Sequence, residues 1–168
     1  FLLKRTTRKR TNLSGDEVTG LKDLVTELSR FPLALEQAGA YMTEKGMSFS
    51  DYRNLYHSLQ KDLPAATAGL AGGYEKSVLT TWSLAFNRVE RENPASINVL
   101  RFSAFLAPDD IPYEILTDGA SQLGATLFLA MRWRVRKRSP VHDLLAPLRR
   151  YSLVRNGEHD RTYSVHGL

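Results

Sequence analysis

FPLALEQAGAY, residues Phe31 to Tyr41, is the stretch from which the fold is read. It opens on a proline and runs into small and apolar residues. Proline is harmless in the first turn of a helix, because the N–H it lacks would have no partner there. Leu33, Leu35, Ala38 and Tyr41 recur at helical spacing and predict one apolar face. The helix is expected to run from Pro32 to Lys45 and to be closed by Gly46.

The same reading extends outward. Upstream, Asn12 to Asp16 is polar and turn-rich, and Ser14 or Asp16 is suited to cap the next helix. Val18, Leu21, Leu24, Val25 and Leu28 mark one face of that helix, with Lys22, Asp23 and Glu27 on the other. Phe1 to Arg10 reads as the tail of an earlier helix. Downstream, Ser48 or Ser50 is placed to cap a helix from Asp51 to Gln60, with Tyr52, Leu55, Tyr56 and Leu59 inward. These four helices predict a small bundle over residues 1–66. Lys61 to Tyr74 is rich in Ala, Gly and Pro and reads as a linker.

A second unit is expected over residues 67–168. Its first helix begins near Glu75, with Val78, Trp82, Leu84, Ala85, Phe86 and Val89 on its apolar surface. Asn93-Pro94 ends that helix and starts another, which buries Ile97, Leu100, Ala104, Phe105 and Leu106. Pro108 to Pro112 breaks the chain before a short helix from Tyr113 to Thr117. Pro140 opens a last helix facing inward through Val141, Leu144, Leu145 and Leu148. The period then changes. Tyr151 to Val154 and Thr162 to Val165 are β-prone, and Asn156-Gly157 between them signals a turn. Helices with a terminal hairpin after them form the pattern of a winged helix.

Composition narrows the chemistry. A chain of 168 residues can bury a core as one domain or two small ones. It has no cysteine, so disulfides, thiolate metal sites and cysteine nucleophiles are excluded. No apolar run approaches the roughly 18 residues of a membrane span. The longest, Leu123 to Met131, runs into arginines, and the apolar start before basic residues reverses the order of a signal peptide. A cytoplasmic protein without a membrane partner is expected. His57, His142, His159 and His166 lack metal-ligand spacing. Asp109-Asp110 sits in a Pro-bounded turn that local backbone hydrogen bonding explains. No nucleophile elbow occurs, and no metal site or catalytic constellation is read.

The net charge of +5 is uneven. Lys4, Arg5, Arg8, Lys9 and Arg10 form one basic cluster. Arg132, Arg134, Arg136, Lys137 and Arg138 form another, and the rest of the chain is net acidic. Trp133 interleaves with the second cluster. That pattern fits a solvated loop, a strand with one charged side, or a nucleic-acid surface where phosphates meet arginine and a base stacks on tryptophan.

Three separated regions resemble, in order, the NB-ARC signalling ATPases of the STAND class. FLLKRT (Phe1 to Thr6) resembles the helix after their nucleotide-binding core. LSRFPLALEQAGAYM (Leu28 to Met42) resembles their helical first ARC subdomain with its "GLPLA" segment. KSVLTTWSLAF (Lys76 to Phe86), FLAPDDIPYEIL (Phe105 to Leu116) and LRRYSLVRN with YSVHGL (Leu148 to Asn156, Tyr163 to Leu168) resemble their second, winged-helix ARC subdomain. The resemblance implies a mainly α fold, a four-helix ARC-type bundle followed by a winged-helix domain with a C-terminal β-hairpin. It implies nucleotide contacts at Pro32 and Leu33, the proline lying against adenine, and at His166, matching the "MHD"-type histidine that meets the β-phosphate of ADP. Ser164-Val165 replaces the usual lead-in there, and Gly167 stands where the acid commonly sits.

No GxxxxGK[ST] segment occurs in the sequence, so hydrolysis by this chain alone is not expected. The resemblance therefore implies a non-catalytic regulatory module. It would respond to ADP or ATP only with a separate P-loop nucleotide-binding domain, with a C-terminal repeat sensor as a further partner. The apolar start and the stop after the His166 motif lead to the expectation that both have been lost. Two other readings stay open. One is a DNA-binding winged helix using the Arg132–Arg138 cluster, although the last helix offers the groove only Arg149 and Arg150. The other is a gene fragment without independent function.

Overall fold

The computed structural model describes residues 14–62, 73–132 and 139–166. The chain packs as two units, Phe1–Ala85 and Phe86–Leu168. The expected boundary at residues 66 and 67 lies outside the described residues, as do the predicted helix over Phe1 to Arg10 and most of the linker. The described residues are mainly helical, with eight helices and one three-stranded sheet.

In the first unit, helix α1 (Gly15–Glu27) starts at a reciprocal cap. The Ser14 hydroxyl accepts from the Glu17 N–H at 3.3 Å, and the Glu17 carboxylate accepts from the Ser14 N–H at 3.0 Å. Helix α2 (Pro32–Lys45) begins on its proline and ends at Gly46, whose φ of 60° is the left-handed conformation a glycine C-cap supplies. Helix α3 (Phe49–Asp62) starts two residues before the predicted Asp51, with Ser48 accepting from the Asp51 N–H at 3.1 Å. Leu24, Leu28, Ala34, Ala38, Met42, Tyr52 and Tyr56 form the core. Helix α4 (Gly73–Glu92) adds Val78 and Leu84 to that core, although the sequence pattern groups both with the second unit.

The buried face of α2 differs from the predicted one. Ala34, Ala38 and Met42, four residues apart, are fully buried, while Leu33, Leu35 and Tyr41 are only half-buried. Gly39 and Ala40 are buried as well. Small side chains let this helix seat its backbone against its neighbours, so its alanines, not its leucines, point to the centre.

The second unit begins within α4. Asn93 caps helix α5 (Pro94–Ser103), its side chain accepting from the Ser96 N–H. Then come strand β1 (Ile111–Pro112), helix α6 (Tyr113–Asp118), helix α7 (Ala125–Arg132), helix α8 (Pro140–Arg150) and strands β2 (Val154–Asn156) and β3 (Thr162–Val165). The expected hairpin is present but its first strand is displaced: the chain turns at residues 151–153 after α8, β2 takes up Val154–Asn156 in place of Tyr151 to Val154, and Asn156 lies in the strand and not in the turn. β2 and β3 pair antiparallel, with Val154 opposite Val165 and Asn156 opposite Tyr163. The Pro108–Pro112 break contains more than a turn. Ile111 and Pro112 pair with β3, giving the order β1-β3-β2. Proline is tolerated there because β1 is an edge strand.

Sequence periodicity places Phe105 in a buried face, yet it is 88% exposed. Helix α5 ends at Ser103, so the turn after it carries Phe105 off the helical face. Helix α7 is an element the sequence pattern does not resolve. The core includes Ile97, Val99, Leu100, Leu116, Leu127, Val141, Leu144, Leu145, Leu148, Tyr151, Leu153 and Tyr163.

Candidate functional site

Pro32 and Leu33 occupy the first turn of α2 in the first unit. Pro32 is exposed and Leu33 half-buried. The turn before them is strained. Ser29 and Arg30 have φ of 54° and 56°, a left-handed conformation in which a Cβ crowds the following carbonyl. Three hydrogen bonds hold it: Ser29 N–H to the Thr26 carbonyl, Arg30 N–H to Val25 and Phe31 N–H to Leu28, each at 2.9–3.0 Å. Only four residues separate α1 from α2, and none of them is glycine. The reversal is therefore forced on ordinary side chains. Ser29 and Arg30 carry no motif, although the glycine-free gap between two predicted helices is a usable signal for them.

His166 lies in the second unit, one residue past β3, and is half-buried. Its N–H donates to the Leu153 carbonyl at 3.4 Å, and the preceding Val165 N–H donates to Pro108 at 2.8 Å. The backbone entering His166 is thus pinned from both sides of β3. Gly167, the departure within its motif, lies outside the described residues.

Asp110 is the group that fixes this hairpin. Its Oδ1 accepts from the N–H groups of Glu158 (2.6 Å) and His159 (3.4 Å) and from the Thr162 hydroxyl (3.0 Å). Its own N–H donates to the Ser164 hydroxyl at 3.1 Å. His159 Nδ1 stands 3.3 Å from Oδ2. Desolvation works against the charge of Asp110. The bonds from Glu158, Thr162 and His159 outweigh it and hold the carboxyl below the ordinary carboxylate range. By sequence Asp110 is a turn residue bonded to nearby backbone. Its partners are instead nearly fifty residues away, which only the tertiary fold reveals.

Of the basic cluster, Arg132 closes α7. It is exposed, with its guanidinium 5.5 Å from the centre of the Phe128 ring. Arg134, Arg136, Lys137 and Arg138 lie outside the described residues. The sequence-predicted site residues thus fall into a pair on α2 and a single histidine in the other unit. Among the described residues, no helix is long and apolar enough to cross a membrane.

Comparison with curated proteins finds similarity to a protein of Hyaloscypha variabilis described as a nucleotide-binding leucine-rich repeat (NLR)-like protein. The two are 26% identical over 100 residues, covering 54% of this chain and 10% of the relative. The chain thus spans about a tenth of that protein's length. No protein-family model matches the chain, and no solved structure matches it. The similarity hints at an NLR-type relationship and points to a multidomain parent. It lends the DNA-binding alternative no support.

Proposed function

We propose that the chain is the regulatory, non-catalytic part of a STAND-class signalling NTPase. In this reading residues 1–66 correspond to a helical ARC subdomain and residues 67–168 to a winged-helix ARC subdomain. The observation that carries it is the antiparallel hairpin at the end of a helical unit, with His166 directly after its second strand. The likeness to a nucleotide-binding leucine-rich repeat-like protein supports it, as does the order of the resembling segments.

The proposed mechanism is a closure. A neighbouring P-loop domain holds ADP, Pro32 and Leu33 lie against the base, and the His166 imidazole donates to a phosphate oxygen. A donor facing a phosphate gains strength from the anion's charge. ADP then stabilises the closed arrangement, and exchange for ATP releases it, because the two nucleotides bind the two states with different affinity. A C-terminal repeat sensor would bias the same equilibrium, and the cytoplasm is the proposed compartment.

The test is the ADP affinity of this chain joined to a P-loop domain, with and without His166→Ala. Loss of a charge-assisted hydrogen bond predicts a drop of about tenfold or more. Equal affinity for the two proteins would remove His166 from the mechanism.

A further inference from the structure

Asn156 is followed by Gly157, and no other asparagine of the chain precedes a glycine. The pair signals a turn by sequence, yet Asn156 lies in β2, opposite Tyr163, with its side chain exposed. A glycine leaves the main-chain nitrogen after an asparagine less shielded than any other residue does, because it has no Cβ. Here the glycine is obligatory. A Cβ at residue 157 would overlap the Thr162 hydroxyl and Asp110 Oδ1. The Asp110 latch thus requires the very residue that makes Asn156 reactive.

We propose that Asn156 is a site of spontaneous deamidation, which the Asp110 latch holds back and which disables the hairpin once it has occurred. The Gly157 nitrogen attacks Asn156 Cγ. The N–Cγ bond forms, the Cγ–Nδ2 bond breaks, and the side-chain nitrogen leaves as ammonia with the proton that Gly157 gives up. Water then opens the five-membered imide at one of its two carbonyls, giving aspartate or isoaspartate. Water is the sole co-reactant.

In the closed hairpin the nucleophile is withheld. The Gly157 N–H donates to the Thr162 carbonyl at 3.1 Å, and pairing with β3 keeps Asn156 extended. The nitrogen is committed to the ladder and does not turn toward Cγ. Asp110 Oδ1 secures that arrangement by accepting from the Glu158 and His159 N–H groups and from the Thr162 hydroxyl. The reaction therefore waits on local opening, and its rate follows the open population. Neither product recloses as well. Aspartate sets a second carboxylate one residue from the glycine that Asp110 crowds, and like charges at that range repel. Isoaspartate lengthens the main chain by one carbon just before the Gly157 nitrogen and spoils the register with Thr162. Opening permits the reaction and the reaction prevents closing, so the hairpin ages in one direction.

The experiment holds the 168-residue chain at neutral pH, native or unfolded in guanidinium chloride, and follows the tryptic peptide of residues 156–161 by mass spectrometry. Deamidation is read as the mass gain of amide to carboxyl, and isoaspartate is separated from aspartate by retention. The native chain should react at least about tenfold more slowly than the unfolded one. Asp110→Asn should quicken the native reaction at least about threefold, and Thr162→Val, which keeps the branched shape, by a smaller factor. The fully deamidated chain should show faster amide exchange at Val154 and at Thr162–Val165. No reaction in the unfolded chain overturns the site. Equal rates in native and unfolded chain, or the native rate in both variants, overturn control by the latch. Unchanged exchange after deamidation overturns the loss of the hairpin. The comparison of native with unfolded chain needs no variant to fold. None of these readings involves His166 or a nucleotide, so the outcome does not depend on that of the ADP measurement.

Discussion

The two units are held together by different physics. The first is closed by burial: Leu24, Leu28, Ala34, Ala38 and Tyr52 are inaccessible to solvent, and three of its helices run thirteen or fourteen residues. Helices of that length satisfy their own backbone and need only an apolar face to dock. The sheet of the second unit has strands of two, three and four residues. Strands so short are marginal on their own, and a carboxylate-to-backbone latch at Asp110 supplies what the ladder cannot. Burial tolerates small errors at many points. A latch concentrates its contribution on a few atoms and is correspondingly fragile.

The largest expected effect falls on that latch. A Cβ built on Gly157 would overlap the Thr162 hydroxyl and Asp110 Oδ1. Thr162 is branched at Cβ and cannot swing far, and Asp110 is fixed by its hydrogen bonds. Gly157→Ala should therefore cost about 3 kcal/mol, the upper end for overpacking. The loss should appear as faster amide exchange at Val154–Asn156 and Thr162–Val165, with α1 to α3 unaffected. Equal acceleration in both units would show that the hairpin is not a separable element.

Asp110→Asn comes next. It keeps one acceptor but removes the charge, so the Glu158 and His159 amides should exchange faster, by less than in the glycine variant. The pH dependence has a definite sign. The folded pKa of Asp110 lies below its unfolded value, so the latch contributes fully above the ordinary carboxylate range and fails as pH falls through the folded value. The asparagine variant should lose that acid sensitivity at the hairpin. Glu27 in the first unit has the same sign, its carboxyl held down chiefly by the hydrogen bond from Arg53. Acid sensitivity confined to the hairpin in the native chain would rank the latch above the Arg53–Glu27 pair. Loss at α1 and α3 first would reverse that order.

The contrast also explains which features are legible in the sequence. Helix limits in the first unit can be read because each is set locally, by Ser14, Pro32, Gly46 and Ser48, within three or four residues of the turn it caps. The second strand of the hairpin can be read because Thr162 to Val165 is β-prone, whereas the first lies at Val154–Asn156, past most of the β-prone run from Tyr151 to Val154, because the turn that ends α8 occupies residues 151–153. The inward face of α2 cannot, since periodicity ranks leucine over alanine whereas close backbone approach favours alanine. Strand β1 stays hidden because Ile111 and Pro112 pair with residues some fifty positions on. At the candidate site, Pro32 and His166 carry motif signals. Asp110 matters through partners supplied only by folding.

A smaller effect is expected from Tyr52→Phe in the first unit. The Tyr52 ring is inaccessible and packs edge-on with Tyr41, yet its hydroxyl is buried without a partner. Burial pushes this phenol far above its ordinary pKa, with Tyr56 and Tyr41 adding to the effect. Deleting an unsatisfied buried hydroxyl while keeping the ring should stabilise the unit by about 1 kcal/mol, read as a higher urea midpoint at unchanged slope. A lower midpoint would mean that the hydroxyl is satisfied by ordered water and belongs to the core.

The smallest effect sharpens the comparison at the turn that presents Pro32. Arg30 is exposed and left-handed, and its geometry is held by backbone hydrogen bonds, which any residue other than proline can make. Glycine there removes the crowding of the Cβ but enlarges the freedom of the unfolded chain, so the two changes partly cancel. Arg30→Gly should stabilise the first unit by only about 0.5 kcal/mol, and the hairpin of the second unit should not respond. Destabilisation would show that the arginine side chain, and not the connection length, holds the reversal in place. The strain before Pro32 would then be a consequence of that contact and not of joining two helices by four residues without glycine.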